Sequence, residues 1–250
     1  MKKIVAIGGG EIGRPGYPVE TTAIDKEIIK LTGKKNPKLL FIPTASSDSL
    51  GYVEVVKKHF GKNLGCKVDV LMLLDGHASK KEISLKIMDA DIIYVGGGNT
   101  LLMMKTWRKF GVDEILRQAY DKGTVMAGVS AGSICWFRDG LSDSVKQFKD
   151  HDADYMKVKG LGFIKALHSP HYDFEKERPK ALKAMMAKTS GVAIALENCA
   201  ALEVIDDDYR VIISRPSAKA YAIFWKKGAY HKIEIRPSGE YRPLAELLKK

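Results

Sequence analysis

The chain has 250 residues, of which 45% are hydrophobic, and it carries a formal net charge of +11. This length and composition favour a single compact globular domain with a large core. No apolar run reaches the roughly 18 residues of a membrane-spanning helix, and the apolar segment in the opening MKKIVAIGGG is too short for a signal peptide. We therefore expect a cytoplasmic protein without membrane contacts. Its three cysteines are unclustered, which predicts neither a disulfide framework nor a zinc site.

The positive charge raises the question of nucleic-acid binding, because clustered lysines bind phosphates. Here the lysines are scattered along the chain in pairs such as Lys57-Lys58 and Lys80-Lys81. Scattered pairs are typical of solvated helix faces and turns, so we expect no nucleic-acid partner. A basic surface can instead attract small acidic substrates or keep a protein soluble.

Apolar runs of strand type alternate with amphipathic segments through the first half of the chain. The strand-like runs are KIVAI at 3–7, KLLFI at 38–42, KVDVLML at 67–73, DIIYV at 91–95 and TVMAG at 124–128. The helical segments fall near 21–32, 52–60, 80–88 and 99–121, the last interrupted at Gly111. This alternation predicts an α/β fold with a mostly parallel sheet covered by helices on both faces.

After residue 190 the pattern changes to closely spaced strands. These are GVAIAL, AALEVID, YRVIIS, AYAIFW and AYHKIEI. The short turns between them predict antiparallel strands added at one edge of the sheet. Because no repeat or linker interrupts the chain, we expect one domain over 1–250, with an α/β core at 1–190 and a β-rich part at 191–250.

Ligands of open parallel sheets bind at the carboxyl ends of the strands, where three loops here are rich in small residues. The first, GGGEIGRPG, contains the G-x-G-x-x-G pattern of dinucleotide-binding proteins. Pro15 and Gly16 interrupt the helix that this motif requires, and the second strand ends in FIPTASS without the acidic residue that would hold a ribose. We therefore interpret the first loop as a tight turn beside the site.

The second loop, YVGGGNT, has three glycines before a helix that begins near Asn99 or Thr100. Its backbone amides and the helix N-terminus can hold an anion. The alternative is a simple turn in which Asn99 caps the helix.

The third loop, AGVSAGSICWF, contains Gly128-Val129-Ser130-Ala131-Gly132, the G-x-S-x-G pattern of a nucleophile elbow. Such a strained corner lifts the serine oxygen into a cleft, and the amide after the serine points at a developing oxyanion. The strand before it and the apolar helix predicted after it fit this context. The alternative is a serine that caps a helix in a tight turn.

An activated serine needs a base, and the chain has six histidines. His59 and His77 precede the elbow in segments that we predict to be surface helices, and His231 lies in a late hairpin. His168 and His171, in LHSPHYD, follow an apolar segment and are expected at the mouth of the sheet. Both remain candidates, with structural loop histidines as the alternative.

The stretches YVGGGNT, GVSAGS, SPHYD and ALENCAAL, in this order, resemble the serine peptidases that include aspartyl dipeptidase (peptidase E) and cyanophycinase. The resemblance covers roughly residues 1–215. It implies a three-layer αβα sandwich of the class I glutamine amidotransferase-like, flavodoxin-like kind. It also implies a peptidase that needs no metal or organic cofactor and that acts on small peptides, including acidic ones.

The resemblance implies a catalytic role for three residues, with Ser130 as nucleophile, His171 as general base and Glu197 as the group that orients His171. The amides of Gly98 and Ala131 would then form the oxyanion hole.

Gly97, Asn99, Asp143 and Arg178 are further candidates for substrate binding. Asp143 competes with Glu197 for the third catalytic position, because the family has a functional aspartate at a similar distance after the serine. Arg178 stands where an arginine of the dipeptidase binds the acidic side chain of the substrate, although its spacing from the histidine is shorter. An exposed arginine at a helix start is the alternative.

The predicted function is hydrolysis of small peptides, those with an N-terminal aspartate included, through an acyl-enzyme on Ser130. Two alternatives remain at this point: a glutaminase-like relative, whose elbow would carry a cysteine, and a non-catalytic protein whose glycine loops hold a small anion. The oligomeric state is open, a homodimer included.

Overall fold

The fold is that of a computed structural model, which describes residues 1–75, 78–144 and 155–249. The strands are β1 (Lys3–Ile7), β2 (Lys38–Ile42), β3 (Lys67–Val70), β4 (Ile92–Val95), β5 (Val125–Val129), β6 (Phe137–Ser142), β7 (Met156–Lys159), β8 (Ile164–Ser169), β9 (Ala193–Leu196), β10 (Ala200–Ile205), β11 (Asp208–Ile213), β12 (Ala220–Lys226), β13 (Ala229–Glu234) and β14 (Arg242–Pro243). The helices are α1 (Thr22–Lys30), α2 (Leu50–Val56), α3 (Lys80–Asp89), α4 (Thr100–Phe110), α5 (Val112–Lys122), α6 (Ala131–Ile134), α7 (Arg178–Met186) and α8 (Leu244–Leu248). A 3-10 turn lies at Thr44–Ser46, and a π-helical segment at Lys57–Asn63 continues α2.

The first sheet has eight strands in the order β14-β11-β10-β1-β5-β4-β2-β3. Strands β1 to β5 pair in parallel, as expected for apolar runs that are buried on both faces. Strand β10 pairs antiparallel with β1, and β11 and β14 continue that side of the sheet. Because β1, β5 and β4 are neighbours, the three glycine-containing loops that follow them lie side by side.

The second sheet has six strands in the order β13-β12-β9-β8-β6-β7. Its central strands β6, β8 and β9 are parallel, whereas β7, β12 and β13 are antiparallel to their neighbours. The carboxyl ends of β8 and β9 lead into the loops that contain His171 and Asn198. This sheet therefore supplies its own loops to the same site.

The two sheets share one apolar cluster, which includes Val95 and Met126 of the first sheet and Ala166 and Ile194 of the second. Helices α3, α4 and α5 also contribute to it, with Trp107 as its largest fully buried helical side chain. The opposite face of the first sheet packs against α1 and α2, and that of the second packs against α7. Helical and sheet layers thus alternate. The shared cluster contains residues of both the α/β core at 1–190 and the β-rich part at 191–250.

The predicted fold class is confirmed, with two differences in detail. The late strands do not all join one edge, because β10, β11 and β14 extend the first sheet while β9, β12 and β13 join the second. The helix after the elbow has only four residues, Ala131–Ile134, before the chain enters β6 at Phe137. Apolar content alone does not separate a buried helix from a buried strand.

None of the helices within the described ranges has the length and apolarity required to traverse a bilayer.

Candidate active site

Ser130 occupies a sharp corner between β5 and α6. It has φ 58° and ψ −115° and lies between Val129, the last residue of the strand, and Ala131, the first of the helix. A side-chain-bearing residue in such a conformation costs about 1–3 kcal/mol and persists only where the surroundings impose it. A Cβ on Gly128 would lie 2.2 Å from the carbonyl oxygen of Gly132, so the corner requires glycine there. The strand-to-helix turn expected from G-x-S-x-G is present.

The hydroxyl of Ser130 faces a histidine and not its own helix. Ser130 Oγ is 2.8 Å from His171 Nε2, and the side chain makes no capping hydrogen bond to α6. A helix-capping serine would accept a hydrogen bond from an amide of the first turn. Helix capping therefore does not account for this residue.

His171 is held in the loop after β8 by contacts on both sides of its ring. Its amide donates to the carbonyl oxygen of Gly8 at 3.0 Å, and its Nδ1 lies 2.7 Å from Asn198 Oδ1. The backbone N–H of Asn198 donates to Asp173 Oδ1 at 2.8 Å, which helps to fix the position of Asn198. When Nδ1 carries the proton and donates to Asn198, Nε2 is left to accept the hydrogen of the serine hydroxyl. This arrangement suits a general base.

The first glycine loop packs directly against this pair. A Cβ on Gly9 would lie 2.0 Å from Asn198 Oδ1 and 2.5 Å from His171 Nδ1, so any side chain at this position would displace both. The carbonyl oxygen of Gly9 also accepts a hydrogen bond from Cys199, the residue after Asn198, at 2.8 Å. The prediction of a tight turn beside the site agrees with this geometry.

Burial lowers the pKa of His171 below its ordinary value of 6.5, while the hydrogen bond to Asn198 acts in the opposite direction. The charge of Arg178 lowers this pKa further, and the carboxylates of Glu175 and Asp143 raise it. A base with a depressed pKa is neutral at pH 7 and is able to accept a proton.

Glu197 does not contact His171, contrary to the expectation from the sequence. Its carboxylate accepts hydrogen bonds from the amide of Lys219 at 3.0 Å and from the hydroxyl of Tyr221 at 3.2 Å. The next residue, Asn198, is the one that reaches the ring. Glu197 follows the last residue of β9 and Asn198 begins the turn toward β10, so the two neighbouring side chains face different parts of the structure.

Arg178 lies at the start of α7, where it is buried with a relative exposure of 1%. The alternative of an exposed arginine at a helix start is therefore wrong. Its guanidinium donates to Glu175 Oε1 at 2.8 Å and to the carbonyl oxygen of Leu141 at 3.1 Å, and it lies over the ring of Tyr155. Burial alone would raise the pKa of Glu175, but the bonds and charge of Arg178 lower it overall. Since the pair neutralises itself, Arg178 anchors the loop after His171 and is not presented to a substrate.

One expected oxyanion donor, the amide of Ala131, directly follows the serine, and the loop that contains the other, Gly98, packs against the serine through Gly97. Ala131 directly follows Ser130, and a Cβ on Gly97 would lie 3.3 Å from Ser130 Cβ, which brings the second glycine loop against the nucleophile. The amide of Gly97 donates to Tyr52 Oη at 3.3 Å. Within the described ranges, the amides of Gly98 and Ala131 make no hydrogen bond to the protein. Their role in an oxyanion hole stays a prediction.

Two other predicted substrate residues are placed elsewhere. Asn99 is buried and caps α4, since its Oδ1 accepts from the amide of Leu102 at 2.8 Å and its Nδ2 donates to the carbonyl oxygen of Ser144 at 3.1 Å. Asp143 is half-buried after β6 and affects His171 only through its charge, because both ring nitrogens already have partners. Asp143 is therefore not the third member of the serine-histidine pair.

The other histidines within the described ranges are separate from the nucleophile, with one exception. His59 is buried and bonds Asp25 at 2.8 Å, although we expected it on a surface helix. His231 stacks on Phe224 in the late hairpin. His77 and His151 lie outside the described residues. The exception is His168, whose contacts are described below.

A cleft of about 720 Å³ opens in front of the serine and the histidine. Its walls come from the first loop, the 3-10 turn, α2 and the second loop, and they include Glu11, Arg14, Tyr17, Ser46 and Tyr52. The carboxylate of Glu11 accepts hydrogen bonds from three successive amides of the first loop and from Arg14 Nε at 2.6 Å. Arg14 is thereby held at the cleft with 66% of its side chain exposed.

The sequence analysis did not identify Asn198, Glu11 or Arg14. Asn198 adjoins Glu197 in ALENCAAL, and only the direction of the side chain distinguishes the two. Glu11 and Arg14 lie in the loop already assigned to the border of the site, where a charged pair inside a glycine-rich turn was the available signal. Within the described ranges, no group of three His, Cys, Asp or Glu residues is arranged to hold a metal ion.

Known proteins of similar sequence are peptidases. The uncharacterized peptidase YgaJ of Bacillus subtilis (strain 168) is 36% identical over 241 residues, which cover 95% of this chain and 97% of that protein. Peptidase E of Nostoc sp. is 28% identical over 150 residues, which cover 59% of this chain and 57% of that protein.

Two solved structures have the same fold. The crystal structure of a peptidase from an acI-B1 actinobacterium has a TM-score of 0.72 at 20% identity and covers 97% of both chains. A putative peptidase E from Listeria monocytogenes EGD-e has a TM-score of 0.63 at 20% identity, over 85% of this chain and 98% of the other. The sequence also matches the family profile described as Peptidase family S51 over residues 4–212. This match, together with the nearly full-length similarity to YgaJ, shows that the chain belongs to Peptidase family S51.

Proposed function

We propose that the protein is a serine-type peptidase that hydrolyses small peptides through Ser130, His171 and Asn198. The observation that carries this proposal is the 2.8 Å contact between Ser130 Oγ and His171 Nε2 at a strained strand-to-helix corner. A hydroxyl on such a corner and a neutral imidazole within hydrogen-bond distance are the two parts that an acyl-enzyme mechanism needs.

In this mechanism Ser130 Oγ attacks the carbonyl carbon of the scissile amide while His171 Nε2 takes the hydroxyl proton. The amides of Gly98 and Ala131 stabilise the oxyanion, and the imidazolium returns the proton to the leaving amine. Water then attacks the ester on Ser130, with His171 again as base, and the acid product leaves. Asn198 Oδ1 accepts a hydrogen bond from His171 Nδ1–H throughout, which keeps Nε2 directed at the serine.

The cleft supports a small and acidic substrate. The cleft has a volume of about 720 Å³, which suits a ligand of a few residues. The loops that form its walls would prevent a folded protein from entering it. Both arginines have a carboxylate partner, Glu11 for Arg14 and Glu175 for Arg178, but Arg14 lines the cleft with most of its side chain exposed, whereas Arg178 is buried. We infer that any preference for an aspartate-containing peptide comes from Arg14.

The two alternative functions lack comparable support. Cys135 is fully buried one turn into the chain after Ser130, its Sγ donates to the carbonyl oxygen of Gly132, and burial raises the pKa of its thiol well above the ordinary value. A cysteine in this state is not a glutaminase nucleophile. A purely anion-binding role would leave the Ser130–His171 contact without a purpose.

The test is hydrolysis of a panel of dipeptides and tripeptides that vary in their N-terminal residue, by wild type, Ser130→Ala and Thr124→Ala. The hydroxyl of Thr124 donates to the carbonyl oxygen of Ala90 at the far end of β5, so Thr124→Ala is the matched control. We expect activity in wild type and in the control and none above background in Ser130→Ala. Undiminished hydrolysis by Ser130→Ala would disprove the proposal.

A further inference from the structure

Tyr52 lies in the first turn of α2 and lines the cleft together with Ser130 and His171, but it takes no part in the mechanism above. Its ring packs edge-on against Phe41 of β2, with 5.1 Å between the ring centres. A Cβ on Gly96 would lie 2.8 Å from Tyr52 Cε1, so the second glycine loop closes on the ring. The ring therefore has a fixed place in the wall of the cleft.

The hydroxyl of Tyr52 lies against the loop that touches the nucleophile. The amide of Gly97 donates to Tyr52 Oη at 3.3 Å. The same glycine packs on Ser130, since a Cβ on Gly97 would lie 3.3 Å from Ser130 Cβ and 3.7 Å from Ser130 Oγ. A peptide whose scissile carbonyl carbon reaches Ser130 Oγ must therefore lie beside Gly97, in the part of the cleft that Tyr52 also lines.

The direction of this hydrogen bond leaves the hydrogen of the phenol without an acceptor. A backbone N–H only donates, so Tyr52 Oη is the acceptor and its own hydrogen needs a different partner. Across residues 1–75, 78–144 and 155–249, no protein atom accepts that hydrogen. Because Tyr52 is half-buried in the cleft wall, the hydrogen is available to a ligand in the cleft.

The phenol keeps this hydrogen at neutral pH. Burial raises the pKa of Tyr52 to about 12. The hydrogen bond from Gly97 opposes this shift in pKa, and the carboxylates of Glu11 and Asp25 add to it. The hydroxyl is therefore a neutral donor at pH 7, and the hydrogen bond that it accepts from Gly97 polarises it and makes it a better one.

We propose that Tyr52 is a substrate-binding residue that donates its hydroxyl hydrogen to a main-chain carbonyl oxygen of the peptide bound at Ser130. The chain of donation runs from Gly97 N–H to Tyr52 Oη–H, and from there to the substrate. A neutral phenol has no charge with which to select a carboxylate, so the main-chain oxygen is assigned to it. The inference rests on the proposed function, because it requires a peptide at Ser130. No covalent bond is formed or broken at Tyr52 during the reaction.

The first test compares wild type with Tyr52→Phe in the hydrolysis of an acidic peptide and of its neutral, amidated analogue. Phenylalanine keeps the packing on Phe41 but has no hydroxyl. We expect kcat/KM to fall about 10-fold for both peptides, the effect of losing one hydrogen bond of ordinary strength. Tyr94→Phe is the matched control and should retain wild-type activity. Tyr94 also contacts Phe41, but its buried hydroxyl has no hydrogen-bond partner within the described ranges and does not line the cleft.

A second variant separates donation to the substrate from the contact with Gly97. Replacement of Tyr52 by a fluorinated tyrosine keeps the ring and its oxygen, but the phenol ionises at a lower pH. The phenolate still accepts the hydrogen bond from Gly97 and has no hydrogen to donate. We expect kcat/KM for the neutral peptide to fall about 10-fold as this phenol ionises, with the midpoint given by the phenolate absorbance. Wild type should show no such loss over the same pH range.

The outcomes distinguish this inference from the proposed function. If wild type hydrolyses no peptide, the proposed function fails and this inference fails with it. If wild type is active and Tyr52→Phe keeps its full kcat/KM, Tyr52 does not bind the substrate while the peptidase remains. A loss confined to the acidic peptide would overturn the assignment to a main-chain oxygen. Activity that does not change as the fluorinated phenol ionises would also overturn the proposal, because Tyr52 would then act only as an acceptor for Gly97.

Discussion

His168 and His171 are three positions apart, at and just after the end of β8, but they contact different atoms around the nucleophile. His171 faces the cleft and contacts the hydroxyl of Ser130, whereas His168 is fully buried, donates from Nδ1 to the carbonyl oxygen of Ile194 and accepts the hydroxyl hydrogen of Ser133 at Nε2. The first is placed to exchange a proton during the reaction, and the second links β9 to the short helix after the nucleophile. Burial and the identity of the contacted atom, and not residue type, assign the two roles.

The largest expected difference between the two histidines is in catalytic rate. We expect His171→Ala to lower kcat by on the order of 10⁴-fold or more, since loss of the general base in a serine peptidase has effects of this size. We expect His168→Phe to lower kcat by only about 10-fold, because it removes one buried hydrogen bond to Ser133 in the turn after the nucleophile and leaves the hydroxyl of Ser130 and its base in place. Steady-state kinetics on the most reactive peptide of the panel measures both. Equal losses in the two variants would remove the distinction between them.

Asn198 and Glu197 offer a second contrast between neighbouring residues. Asn198→Ala deletes the acceptor for His171 Nδ1–H, and we expect a loss of kcat of about 10²-fold because the ring is no longer oriented. Removal of the orienting group costs less than removal of the base itself. The control Glu197→Gln keeps an acceptor for Tyr221 and should retain nearly full activity. A large loss in this control would restore Glu197 as the third catalytic residue.

Asn198→Asp sharpens the same contrast through pH. A carboxylate at Nδ1 favours the imidazolium, so we expect the acid limb of kcat/KM to move upward by about 1 pH unit. In wild type, where burial lowers the pKa of His171, activity should rise with pH through a midpoint below the ordinary histidine value of 6.5. pH–rate profiles from pH 4 to 8 measure the acid limb of kcat/KM in wild type and in Asn198→Asp. An acid limb that does not shift in the variant would indicate that position 198 does not face the ring of His171.

Arg178, which was predicted to bind the substrate, and Arg14, which the structure places in the cleft, differ in their access to a substrate. Arg14→Ala should raise KM for peptides with an acidic side chain by about 10-fold, as expected for loss of one charge-assisted hydrogen bond, and should leave their amidated or neutral analogues unaffected. The side chain of Arg236 is exposed and does not line the cleft, which makes Arg236→Ala the matched control. If Asp- and Asn-containing peptides show the same KM change, Arg14 does not recognise a carboxylate.

The smallest expected effect concerns stability. Burial holds the pKa of His168 at about 3, well below the 6.5 of an exposed histidine, so the unfolded chain binds a proton there that the folded chain does not. The resulting stabilisation is fully present above pH 6.5 and is lost as the pH falls from 6.5 toward 3. Urea unfolding between pH 7 and 4 should show a steeper loss in wild type than in His168→Phe, by up to about 1.4 kcal/mol per pH unit. Parallel curves would contradict a neutral, buried ring.

The elbow was predictable because its chemistry is local. Gly128, Ser130 and Gly132 lie within five consecutive residues, and the requirement for small residues at the corner follows from the backbone alone. The parallel strands were likewise visible as continuous apolar runs. Each feature depends on few neighbours, so the sequence contains enough information to specify it.

The partners of His171 were harder to predict because they come from distant parts of the chain. Asn198 and Glu197 are neighbours, and the sequence does not show which of the two side chains faces His171. That orientation depends on the path of the turn after β9, which is set by the position of β10 in the first sheet. The expected single sheet edge for the late strands was too simple for the same reason. Alternating apolar residues identify a strand but do not say which of two sheets it joins.

The antiparallel pairing of β1 with β10 makes the active site depend on the order in which the protein is made. Strand β1 is synthesised first, but its partner on that edge comes from residues 200–205, and Asn198 immediately precedes them. A nascent chain that ends before this point has the serine and its histidine without the residue that orients the ring. We therefore expect the orienting contact on His171 to form only after β10 has been made and has paired with β1, so that shorter nascent chains carry little capacity to cleave peptides around them.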